Sequence, residues 1–155
     1  MTFTFENKAG EFPSYLANDA ALAKFVRDWE ACSLPGSAWT HSAHVSVAAF
    51  YACEHPAEEC YRRMKSGILR FNGCTGVVNT PDRGYHETLT RFWSKLIADF
   101  VSERRRNLPA ISRLEAARAA VAEFGDRECW RRHYTFDVLR SREARREWIA
   151  PDLHC

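Results

Sequence analysis

The 155-residue chain has no stretch approaching 18 consecutive apolar residues, so no membrane-spanning helix is expected. It also lacks a dominant charge: 22 Lys+Arg stand against 20 Asp+Glu, and a net +2 gives no reason to expect a nucleic-acid partner. The arginine clusters at 104–106 and 145–146 have no interleaved aromatics and read as solvated helix surface. The start, Met1-Thr2-Phe3-Thr4-Phe5-Glu6, lacks the basic-then-apolar order of a secretory signal. Six cysteines (Cys32, Cys53, Cys60, Cys74, Cys129, Cys155) form no C-x-x-C pair, so they are expected to be reduced, packed thiols of a cytoplasmic protein. There is no G-x-S-x-G, no Walker loop, no G-x-G-x-x-G and no H-E-x-x-H. Hydrolase elbows, nucleotide loops and zincin helices are thereby set aside.

What is present is helical periodicity. Hydrophobic residues make up 46% and charged residues 27%, the balance of a globular chain long enough to bury its own core. Period-2 alternation is scarce and no internal repeat or linker interrupts the pattern. The expectation is an all-α fold, a compact single-domain helical bundle of about six helices spanning 1–155. Asn18 and Asp19 can cap a helix over Ala20 to Cys32, with Leu22, Phe25, Val26 and Trp29 at helical spacing. Thr40 can cap a second, whose Val45, Val47, Ala48, Phe50 and Tyr51 are apolar on nearly every side, the mark of a central helix. A third follows Pro56 and should stop at Asn72-Gly73. The glycine- and proline-bearing stretch 73–84 then reads as one long loop, of a kind that often carries function. A fourth helix is expected from Tyr85 to about Glu103, and a fifth from the capping box Ser112-x-x-Glu115 to Gly125. A short element around 128–140 follows, and Ser141 can cap a last helix, Arg142 to Trp148.

Candidate chemistry gathers at helix starts. In His41-Ser42-Ala43-His44 the histidines are three residues apart and share one face, so two imidazoles can converge. The positive end of the helix dipole disfavours imidazolium there, and neutral imidazole is the form that binds metal or takes a proton. Gly84-Tyr85-His86-Glu87-Thr88 supplies a third imidazole and a carboxylate at the next such position. Glu30 ends the first helix, where a carboxylate opposes the dipole and gains from a cationic, metal or histidine partner. Three histidines with a carboxylate make a familiar shell for zinc or non-haem iron with a position left for water. The metal ligands would be His41, His44 and His86, with Glu87, Tyr85 and Glu30 handling protons. Asn79, Thr80, Arg83, Arg91 and Trp39 would touch substrate. The bland alternatives are dipole-compensating Glu87, core Tyr85, exposed arginines and surface histidines, with His55 and His154 among the last; His133, beside Tyr134, is a weaker candidate for the site.

The run Glu30, Leu34-Pro35, Trp39-Thr40-His41, His44, Gly67-Ile68, Asn72, Asn79-Thr80, Gly84-Tyr85-His86-Glu87-Thr88, Thr90 and Trp93 resembles an uncharacterised family of small bacterial helical proteins. Its W-T-H-x-x-H and G-Y-H-E-T motifs carry the resemblance. The tail Ser141, Glu143-Ala144-Arg145, Trp148, Pro151-Asp152-Leu153 is similar to the same family's C-terminus. A looser similarity is to the DinB and YfiT-like bundles, which hold a metal with three histidines at other spacings. It bears on architecture more than on chemistry. Three functions are compatible with these residues. The first is a small-molecule hydrolase or lyase using divalent zinc or iron. The second is a metal-independent His/Glu acid–base isomerase or lyase, and the third is a non-catalytic protein that binds a small ligand among its aromatic side chains.

Overall fold

The computed structural model describes residues 12–153; Met1–Glu6, His154 and Cys155 lie outside them. Six α-helices follow in order: α1 Asp19–Glu30, α2 His41–Ala52, α3 Ala57–Thr75, α4 Glu87–Asn107, α5 Arg113–Glu123 and α6 Arg142–Arg146. Short 3-10 turns lie at Ser14–Leu16, Gly36–Ala38 and Cys129–Arg132. The described residues hold no strand, only one bridge between Thr80 and Arg83. The fold is all-α, as the periodicity requires, and none of the described helices is long and apolar enough to cross a membrane.

The helix starts follow local chemistry. Asn18, Thr40, Ser112 and Ser141 each accept a hydrogen bond from the backbone N–H three residues on, at 2.8–3.2 Å. Each satisfies a donor that the first helical turn leaves without a partner. The fourth helix begins two residues later than Tyr85, because His86 itself is the cap: its ring Nδ1 accepts from Leu89 N–H at 3.2 Å.

Helix α2 is the axis of the bundle. Its Ala43, Val45, Val47 and Ala49 are at most 1% exposed, and it packs against α3, α4 and α5. An apolar residue on every side leaves no face for water, so the neighbours must surround it. Helix α1 closes the other side of α3 and α5, burying Trp29 completely over Gly67 of α3. A Cβ at Gly67 would run into the Trp29 ring. Only glycine lets the two helices meet there.

Other boundaries differ from expectation as well: α1 ends at Glu30 and not at Cys32, and α4 runs on to Asn107. Helix α3 does not stop before Asn72-Gly73 but continues to Thr75 and ends at Gly76 with φ 79°, a left-handed C-terminal stop. The burial of Phe71 and Asn72 outweighs the roughly 1 kcal/mol that a helical glycine costs. The long loop is accordingly shorter and starts after Gly76. The element expected over 128–140 is a 3-10 turn followed by irregular chain, and α6 ends at Arg146 instead of Trp148. That irregular chain is nonetheless anchored: Trp130, Tyr134, Val138 and Ala144 form a second small core with Phe92 of α4.

The expectation of six reduced thiols is corrected. Cys32, just after α1, is joined to Cys74 near the end of α3, with Cα atoms 6.2 Å apart. Cys53, Cys60 and Cys129 are free thiols. Sequence spacing had given no sign of a pair 42 residues apart, because the packing of α1 on α3 makes it. One ground for the cytoplasmic expectation is thereby removed.

Candidate functional site

A cavity of about 800 Å³ opens between the starts of α2 and α4, the α3–α4 loop and the segment after α5. Trp39, Met64, Ile68, Leu89, Trp93 and Ile97 form its apolar walls. Its polar lining includes His41, His44, Asn72, Tyr85, His86, Thr90, Arg83, Arg127 and Arg145. All three histidines expected to converge therefore reach one cavity, although they are not equivalent in it.

His41 donates from ring Nε2 to the Phe124 carbonyl at 2.7 Å. A carbonyl only accepts, so this bond places the proton on Nε2 and leaves the Nδ1 lone pair as the acceptor. The Trp93 ring lies edge-on to the imidazole at 4.9 Å. Burial holds the His41 pKa below the usual imidazole value; the Phe124 bond opposes this, and the Arg127 charge adds to it. His44 sits one turn on, its ring 4.0 Å from that of Trp39, which in turn stacks on Trp29 at 4.5 Å. Burial, then the neighbouring His41, lower its pKa to about 3, with a hydrogen bond to the Thr40 backbone pulling the other way. His44 is neutral throughout the physiological range.

His86 is a different object. It is 7% exposed, its Nδ1 caps α4, and its Nε2 donates to the Val138 carbonyl at 2.9 Å. Both ring nitrogens are engaged with backbone, so the ring edge that touches the cavity carries no lone pair for a ligand. Its neighbour Glu87 does not line the cavity. Its carboxylate accepts from Tyr61, from Tyr85 at 2.6 Å and from Lys65 at 3.1 Å. Burial pushes the Glu87 pKa up, but these three donors together outweigh it and hold the carboxyl below its ordinary value. Tyr85 reaches the cavity with its ring while its hydroxyl is tied to Glu87, and burial and that carboxylate raise its pKa far above the usual phenol range.

The other expected residues divide. Trp39 and Arg83 line the cavity. Asn79 stands behind it: its Oδ1 accepts from Tyr85 N–H at 2.9 Å and from Asn72 Nδ2 at 3.3 Å, closing the loop. Gly84, at φ 83°, has its Cα face against Asn79, where a side chain would collide. Thr80 pairs with Arg83 through backbone in a tight turn. Glu30 does not line the cavity; its carboxylate accepts from the Tyr51 hydroxyl at 3.0 Å. Arg91 pairs with Glu58 at 3.2 Å and covers the Tyr61 ring at 4.5 Å. His133 packs edge-on to Phe92 at 5.0 Å. Among the described residues no three His, Cys, Asp or Glu side chains are arranged to hold a metal ion.

Sequence reading missed Arg127, Arg145, Asn72 and Thr90 as cavity residues. Arg145 had been read as surface charge; it bonds the Gly84 carbonyl at 2.9 Å and the Leu139 carbonyl at 3.2 Å, bracing the loop. No local signal marks either arginine, since long-range folding brings both to the cavity. Comparison with family models, with curated proteins and with solved structures gives no match.

Proposed function

We propose that this chain is a proton-transfer enzyme of the isomerase or lyase type, acting on a small carbonyl compound held in the 800 Å³ cavity. The observation that carries the reading is His41: a half-buried neutral imidazole in the cavity wall, its Nε2 proton fixed on the Phe124 carbonyl and its Nδ1 lone pair uncommitted. A base oriented by a backbone acceptor takes a proton without having to reorganise. His44, neutral and adjacent, spends its one N–H on the Thr40 carbonyl and presents an accepting nitrogen; with so low a pKa it is the poorer base of the two. Glu87 positions Tyr85 and does not itself meet substrate.

Zinc or iron chemistry is the second reading, favoured by the three-residue spacing of His41 and His44 in one cavity wall. It requires further ligands from substrate, water or a rearranged side chain, because the nitrogens of His86 are engaged.

The test is solvent-deuterium exchange into a panel of aldehydes, ketones and 2-oxo acids, followed by NMR. Exchange of a C–H next to a carbonyl is expected with the parent protein, and a loss of about 100-fold or more in His41→Gln, the scale of removing a general base. Exchange that His41→Gln leaves unchanged, or none across the panel, sinks the proposal. Activity lost to a chelator and restored by zinc or iron would favour the metal reading instead.

A further inference from the structure

Among the described residues the cavity is lined by three arginines, Arg83, Arg127 and Arg145, and by Glu128, which pairs with Arg131; the neighbouring Asp126 also acts on His41 and partly opposes the Arg127 charge. Arg145 is engaged with backbone carbonyls. Arg83 and Arg127 make no side-chain hydrogen bond or ion pair among the described residues. Of these two, Arg127 is the one whose charge bears on both His41 and His44. Its place is fixed from both sides. The chain ahead of it is pinned where His41 bonds the Phe124 carbonyl, and the chain after it is pinned where Trp130, 2% exposed, enters the second core. The backbone that carries Arg127 is thus anchored beside the cavity, and its guanidinium is left available to an anion there.

We infer that the cavity takes a molecule with a flat apolar body and a single anionic head, seated with its head on the Arg127 guanidinium beside His41 and its body between Trp39 and Trp93. The inference rests on the proposed reaction only in using the same cavity; it specifies the substrate as an apolar compound bearing a carboxylate or phosphoryl group. It also gives Arg127 a part in the chemistry. Two neutral imidazoles do not repel the head's positive partner as imidazolium would, and an anion on Arg127 offsets the charge that disfavours protonation of His41. Binding would therefore ready the base.

Calorimetric titration tests this without turnover, so a failure of the proton-transfer reading leaves its outcome intact. The probes are 1-naphthylacetate, the uncharged 1-naphthylacetamide and 1-naphthylmethylphosphonate. Against the parent, an acid is expected to bind about tenfold tighter than the amide, the scale of a charge-assisted hydrogen bond, and Arg127→Gln to cut that preference to about twofold or less. Arg127→Lys should retain part of it, and circular dichroism should show both variants folded, since the residue is exposed. Whether the carboxylate or the phosphonate binds tighter identifies the head group, and either preference supports the inference. Equal binding of acids and amide, no binding of any probe, or a preference that Arg83→Gln removes and Arg127→Gln does not, overturns it.

Discussion

Two helices of this protein begin with a histidine beside a polar partner, and the two starts do opposite things. At α2, Thr40 supplies the cap, which leaves the imidazoles of His41 and His44 free to face the cavity. At α4 no Ser, Thr, Asn or Asp precedes the helix, so His86 becomes the cap and its other nitrogen holds Val138. Glu87 follows the same logic, its carboxylate consumed by two tyrosines and a lysine. The difference teaches that the identity of a residue matters less here than who else can satisfy the backbone. With threonine as the cap two histidines reach the cavity, and without one a third is committed to the backbone.

The comparison breaks most visibly in stability. His86→Ala removes a cap and a buried hydrogen bond and leaves the Val138 carbonyl without a partner; a loss of about 3 kcal/mol in urea unfolding is expected, against about 1 kcal/mol or less for His44→Gln. Equal losses would mean the two starts are alike. Acid sharpens the contrast next. The folded-state pKa of His44 lies near 3 and its unfolded value near 6.5, so the unfolded chain binds the extra proton between them and stability falls as pH is lowered through that window. His41 and His86, also lowered, act in the same direction. His44→Gln should therefore flatten the drop between pH 6.5 and 5 by about 1–2 kcal/mol, read from urea midpoints at each pH. An unchanged slope would show that His44 is not held neutral.

The smallest effect belongs to Glu87. Its pKa is depressed, so its contribution is present above the ordinary carboxylate range and lost as pH falls below it. Glu87→Gln keeps hydrogen bonding to Tyr61 and Tyr85 but loses the Lys65 ion pair, and is expected to cost about 1 kcal/mol at pH 7. If Glu87 is structural, the exchange reaction should survive this change with its rate little altered. A collapse of activity in a folded Glu87→Gln protein would return the carboxylate to the chemistry.

Local sequence determined the helices, because caps and periodicity act within a turn or two: Asn18, Thr40, Ser112 and Ser141 all cap as they read, and the all-apolar α2 is the central helix. Six of the residues it singled out, His41, His44, His86, Tyr85, Trp39 and Arg83, line one cavity. Only the tertiary structure decided which of them are free. Engagement depends on partners 26 to 83 residues away, such as Tyr61 for Glu87, Val138 for His86 and Phe124 for His41. The Cys32–Cys74 bridge and the arrival of Arg127 and Arg145 at the cavity have the same origin. A hydrogen bond or a charge is satisfied by whatever lies within about 3 Å in space, and spacing along a chain records such neighbours only when they belong to the same helix.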